Sequence, residues 1–136
     1  MNILLNLNDI NYDYIFYSEP TKNSIIENGM FTRIIYSNTI MSLNGFFITF
    51  SSLDTLNREK MSQKKIIELL IELEKILLFK ADISNKKCQY KIKDYFKFLN
   101  LKLGEELNLN KYILKISGIW ETESEYGITF KLIDMK

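Results

Sequence analysis

The stretch "KYILKISGIWETESEYGITFKLI", Lys111–Ile133, decides how the rest of the chain is read. Two runs of β-branched, aromatic and leucine residues flank the acidic cluster Glu121, Glu123 and Glu125, which is the pattern of a β-hairpin. Pairing Trp120 with Tyr126 across a five-residue loop sets Ile116 opposite Phe130 and Leu114 opposite Leu132. The same register sets Lys115 opposite Lys131, and like charges directly opposite on a sheet are destabilising. One face then carries Leu114, Ile116, Trp120, Tyr126, Ile128, Phe130 and Leu132, enough apolar surface for a core. The other carries Lys115, Ser117, Thr129 and Lys131, with Gly127 between. A cationic, hydroxyl-bearing strip with a glycine for close approach suits a phosphate backbone, and a plain solvated face has the same composition. Trp120 fits a core position and a stacking platform equally well.

Working outward, the first 50 residues read as strands. "NILLNL" and "YDYIFYS" are short and bounded by Asn, Asp and Pro20, and "GMFTRIIYS" and "IMSLNGFFITF" follow, joined at Ser37-Asn38-Thr39. A hairpin turn at Asn44-Gly45 would leave only Ile40 to Leu43 as its partner strand. The turn is therefore assigned to Asn38, with Gly45 a bulge in a longer strand.

"SQKKIIELLIELEKILLFK", Ser62–Lys80, is a helix, with Ile66, Leu69, Leu70, Leu73, Ile76 and Leu77 in one stripe. Lys64, Lys65, Glu68, Glu72 and Lys75 fill the opposite side, and Ser62 or Asn57 is placed to cap its start. "NKKCQYKIKDYFKFLNLKLGEEL" supports two readings. Tyr90 and Ile92 alternate with Lys91 and Lys93 as in a strand, whereas Ile92, Tyr95, Phe96 and Leu99 recur as in a helix. The expected fold is α+β and mainly antiparallel β, one domain over residues 1–136. One long helix lies between early strands and a C-terminal β-hairpin, in an OB-like barrel or on an open sheet.

Composition limits the function. The 136 residues are 46% hydrophobic, with one proline and five glycines, enough for a core and too little for a long linker. No apolar run reaches the length of a membrane span, and "MNILLNLNDINYDY" lacks the basic opening of a secretory signal. The single Cys88 excludes an internal disulfide and suits a reducing, intracellular compartment. Net charge is +1, distributed as −3 over residues 1–57, +6 over 58–102 and −2 over 103–136. With no histidine, His-based catalysis and Cys/His zinc sites are excluded. Neither a P-loop nor a dinucleotide fingerprint is present. Glu121, Glu123 and Glu125 in one turn could attract a hard cation, but exposed turn glutamates are more often solvated. Cys88 beside Lys86 and Lys87 could be activated, but a lone cysteine is most often inert. The expectation is no cofactor and no enzymatic activity.

The central basic block is different. "KKCQYKIKDYFKFLNLK" interleaves Lys86, Lys87, Lys91, Lys93, Lys97 and Lys102 with Tyr90, Tyr95, Phe96 and Phe98. Single-strand binders need cations along the phosphates and aromatic faces under the bases. The plainer account has Phe96 and Phe98 in the core and the lysines extending to water. Candidate contacts are Lys91, Lys93, Tyr95, Lys97, Lys115 and Lys131, with Arg33 and Tyr36 from the early hairpin.

"LNKYILKISGIWETESEYGITFKLI", together with "ENGMFTRIIYSNTIMSLNGFFITF" upstream, resembles proteins of large nucleocytoplasmic DNA viruses. Some of these are similar to phage-type single-stranded DNA-binding proteins with an OB-fold. The resemblance covers roughly residues 27–50 and 110–133. It implies single-stranded DNA binding with little sequence preference, in host cytoplasm, nucleus or viral factory, with viral protein partners and an oligomeric form open. Such binders typically end in an acidic tail that recruits replication partners, whereas this chain ends "LIDMK", which argues against that recruiting role. The alternative is a structural or protein-interaction module, such as a minor virion component or an assembly subunit, which near-neutral charge fits.

Overall fold

The computed structural model describes residues 4–50 and 62–135, so Asn57, one of the two candidate helix caps, lies outside the described residues. Six strands come first: β1 (Leu4–Asn6), β2 (Ile15–Tyr17), β3 (Thr21–Lys22), β4 (Met30–Ser37), β5 (Ser42–Asn44) and β6 (Phe46–Thr49). Then come α1 (Gln63–Ala81), β7 (Lys87–Cys88), α2 (Lys91–Leu103), β8 (Tyr112–Glu121) and β9 (Glu125–Asp134). The first two strands are shorter than the sequence pattern predicts because asparagines interrupt them. The Asn6 and Asn11 side chains accept the N–H groups of Asn8 at 3.1 Å and Asp13 at 2.9 Å, bending the chain into single 3-10 turns.

Strand β8 organises the mixed sheet, nine-stranded among the described residues. One edge pairs with β9 antiparallel over its whole length. The other edge is divided, with Ile113–Ile116 against β6 and Gly118–Glu121 against β4. Where β4 and β8 part, the chain from β5 to β6 changes partner at Gly45. Its N–H reaches the Ile34 carbonyl at 2.7 Å, and a Cβ there would come within 2.8 Å of the Ile116 carbonyl oxygen. With φ at +76°, the position requires glycine on both counts. The turn before it is at Asn38 as expected, with its side chain accepting from Ile40 and Met41, whereas Gly45, expected as a bulge in one longer strand, separates β5 from β6.

The hairpin agrees with the predicted register up to Ile116↔Phe130 and includes Lys115↔Lys131. Beyond that, Ser117 is an extra residue in β8, so Trp120 faces Gly127 rather than Tyr126. The loop is three residues long, closed by Thr122, whose Oγ1 accepts from Glu125 N–H at 3.0 Å.

Strand order β1-β6-β8-β4-β2 leaves β1 and β2 as ends, so among the described residues the sheet stays open. Of the two expected forms, the sheet with a C-terminal hairpin is present and the OB-like barrel is not formed. β1 and β7 also run parallel to their neighbours β6 and β9.

Alternation along the strands separates two faces. Ile34, Tyr36, Phe46, Ile48, Leu114, Ile116 and Ile128 are buried on the inner face, against which both helices pack. Helix α1 begins at Ser62, whose Oγ accepts Lys65 N–H at 3.2 Å, and buries Ile66, Leu70, Leu73 and Leu77. The Tyr17 hydroxyl donates to the Leu77 carbonyl, joining β2 to α1, and burial raises its pKa above the usual phenol value.

The ambiguous segment is a short strand followed by a full helix. Ile92 and Phe96 are buried, with Leu99 and Leu103 packed beside them, so from Lys91 onward the helical of the two readings holds. Phe98, expected inside, is 58% exposed because it lies off that stripe. No side chain of α2's own N-cap residue, Tyr90, bonds its first turn. Glu74 of α1 does so instead. Its two carboxylate oxygens accept the N–H groups of Ile92 at 2.8 Å and Lys93 at 2.9 Å from a fully buried position. Burial pushes its pKa above the ordinary carboxylate value, and the two backbone bonds pull it back only in part.

Two measurements follow. Leu70→Ala should lower the unfolding free energy by about 2–5 kcal/mol, read by urea titration. Because the folded-state pKa of Glu74 is raised, its contribution is fully present below the unfolded value near 4.5 and is lost as pH climbs through the folded value. The urea midpoint of Glu74→Gln should therefore gain on wild type as pH rises from about 4 to about 7.

Candidate functional site

The strand–helix link from β7 to α2 opens a groove at the edge of β9. Lys87 N–H bonds the Ser124 carbonyl and Gln89 N–H the Tyr126 carbonyl, both at 2.8 Å. The chain then leaves β9 and enters α2, and from Gly127 onward β9 has no further strand on its outer edge among the described residues. Between α2 and this edge lies an open groove of about 550 Å³.

Three elements line it. α2 contributes Lys91, Asp94, Tyr95 and Phe98, spaced i, i+3, i+4 and i+7 on one side of the helix, away from its buried stripe. β9 contributes Ile128, Thr129 and Phe130, and β8 contributes Trp120. Tyr95 meets Phe130 edge to face at 5.8 Å, and Lys102 brings its ammonium to 5.9 Å from the Phe98 ring centre. Trp120 reaches the groove by lying across Gly127, where an added Cβ would come within 2.8 Å of its Cζ2. The indole is half-buried, so it is both packed and presented.

The predicted site residues divide into groups. Lys91 and Tyr95 line the groove, and Tyr95 is 39% exposed. Lys93 and Lys97 sit on another side of α2 and do not line it. Lys115 and Lys131 share the outer face of the hairpin with Thr129, next to the groove. Lys131 is exposed, while the Lys115 ammonium sits 5.7 Å over the Phe47 ring, which eases the repulsion between the two lysines. Arg33 is exposed on the same outer face, opposite Gly118.

Tyr36 is a correction. Its ring faces the core at 3% exposure, against Tyr14 and Phe46, and its hydroxyl oxygen accepts Asn11 N–H at 3.1 Å. It alternates with Thr32 and Ile34, which gives it their inward direction.

Asp94 and Phe98 were not singled out as contacts from the sequence. Asp94 follows Lys91, and Phe98 follows Tyr95, by three residues, a relation that becomes visible once the segment is read as a helix. The donors at the start of α2 are taken by Glu74, so a phosphate here must be held by side chains.

The other candidates lead elsewhere. Lys86 pairs with Glu121 at 3.1 Å and Glu123 accepts from Asn28 at 3.3 Å, so the turn carboxylates are held apart by different partners. Cys88 lies between two phenols whose pKa values are both raised, that of Tyr90 chiefly by its hydrogen bond with Cys88 and that of Tyr126 chiefly by burial. Comparison with family models, curated proteins and solved structures gives no match for this chain.

Gly127→Ala should displace the indole or the Gln89 carbonyl, which a Cβ would approach to 3.0 Å. The expected result is a loss of about 1–3 kcal/mol in stability together with a red shift of the tryptophan emission. An unchanged spectrum would mean that Trp120 does not rest on Gly127.

Proposed function

We propose that this chain is a non-enzymatic protein that binds single-stranded nucleic acid with little sequence preference, along the groove and free edge of β9. The observation that carries this reading is the convergence of Tyr95, Phe98, Phe130 and Trp120 on one open groove with Lys91 in its lining and Lys131 on the adjoining face. Aromatic faces offer stacking that tolerates any base, and the lysines supply charge for phosphates. The resemblance of the two β segments to proteins of large nucleocytoplasmic DNA viruses, some of them similar to single-strand binders, favours DNA and a site of action inside the host cell. That support comes from sequence alone, since the open sheet departs from the OB barrel.

A second reading, a protein-interaction module, is supported by Phe79. It is 86% exposed on α1 beside a cavity of about 450 Å³ lined by Ile76, Leu78, Cys88 and Tyr90.

The single tryptophan makes the test direct. Titration with oligo-dT should quench Trp120 emission, and affinity should fall with salt. Lys91→Ala should lower the salt slope by roughly 0.7, the share of one phosphate on a single strand. Lys131→Glu should keep or raise thermal stability by about 0.2–1 kcal/mol, since it replaces a like-charge pair, while weakening binding. Stable protein with neither quenching nor an anisotropy change at low salt would leave the interaction module as the better reading.

A further inference from the structure

We infer that the groove at the β9 edge is a slot for one guanine base, read by Asp94; this rests on the single-strand reading above. Shape is the first argument. The groove is open along one side and is lined by aromatic rings from α2 and β9 and, around the sheet edge, by the Trp120 indole. That suits a flat group that enters from a chain passing outside better than a small molecule that must be enclosed. Tyr95 is held against Phe130, but Phe98 stays 58% exposed although α2 buries its other stripe, so packing within the core does not explain its direction.

Asp94 gives the slot its chemistry. A carboxylate in the lining of a polyanion site is repelled by phosphate and is useful only against hydrogen-bond donors. A favourable place near the start of α2 is open to acidic residues in general, but Glu74 already satisfies the donors there. The Watson–Crick edge of guanine alone presents two adjacent donors, N1–H and the N2 amino group, to the two oxygens of a carboxylate. Cytosine and adenine offer one amino group beside a ring acceptor. Thymine and uracil offer one N–H between two carbonyl oxygens, which the carboxylate repels. Lys91, one helical turn before Asp94, and Lys131, one residue beyond Phe130, are placed for the flanking phosphates. Preference is thus confined to one position of an otherwise sequence-tolerant contact.

The test uses the full chain and an oligo-dT of about a dozen nucleotides, unmodified or with one central dG, dA, dC or deoxyinosine. The dG oligonucleotide should bind about tenfold tighter than oligo-dT, the scale of a bidentate base contact, with dA and dC between. Deoxyinosine, which lacks only the 2-amino group, should lose most of that gain. Asp94→Ala should abolish the preference, so that the dG, dA, dC and deoxyinosine oligonucleotides bind alike. Asp94→Asn provides a second variant of nearly the same shape, and both are checked by thermal unfolding. Equal binding of all the oligonucleotides by wild type, or a dG preference that survives Asp94→Ala in folded protein, would overturn the slot and leave single-strand binding standing. No binding to any of them would overturn the single-strand reading and the slot with it.

Discussion

The buried carboxylate of Glu74 holds the N–H groups of Ile92 and Lys93, and through them it sets where α2 lies. Taking a carboxylate out of water costs several kcal/mol, offset here by two charge-assisted bonds and by the favourable end of the helix dipole. Without Glu74, the first-turn donors of α2 would be orphaned, because Tyr90 supplies no side-chain cap. With it, α2 has a defined rotation over β9, burying Ile92 and Phe96 and turning Lys91, Asp94, Tyr95 and Phe98 toward the sheet edge. The groove is therefore made by a bond between two helices as much as by its own lining. Tyr17 extends the same fastening to the sheet through the Leu77 carbonyl.

A second constraint acts at the fork of β8. The extra residue Ser117 and the left-handed Gly45 meet where β8 exchanges β4 for β6. The bulge moves every later residue of β8 by one position against β9, which places Trp120 over Gly127. Had the register continued unbroken, the indole would have faced Tyr126 on the helix-covered side. A single inserted residue thus decides on which face the one tryptophan appears.

Much of this was legible in the sequence and some was not, for reasons that differ by residue. Helix α1 was readable because its apolar stripe repeats over 19 residues, and Ser62 is a good cap in the right place. The lower half of the hairpin was readable because alternation fixes faces there. The bulge was not, since Ser117 has no property that marks an insertion. Helix α2 was obscured by Lys91, Ile92 and Lys93, whose alternation imitates a strand over the few residues where the helix begins. Glu74 was not singled out: it is an acid inside the stripe of Leu70, Leu73 and Leu77, and its partners lie 18 and 19 residues away. Tyr36 was misjudged although its alternation with Ile34 already placed it inside. Closure of the barrel depended on which strands become sheet ends, which no local pattern encodes.

The edge of β9 from Gly127 onward, unpaired among the described residues, has a consequence for the behaviour of many copies together. An extended apolar strand with bare N–H and C=O groups is a template on which another copy can add its own β9 and grow sheets across molecules. Antiparallel pairing of two such edges near their middle would bring Lys131 of each copy close to the other, with Lys115 one strand behind it. The charge pair that costs the isolated hairpin some stability then acts as a guard against self-assembly, keeping a sticky edge soluble.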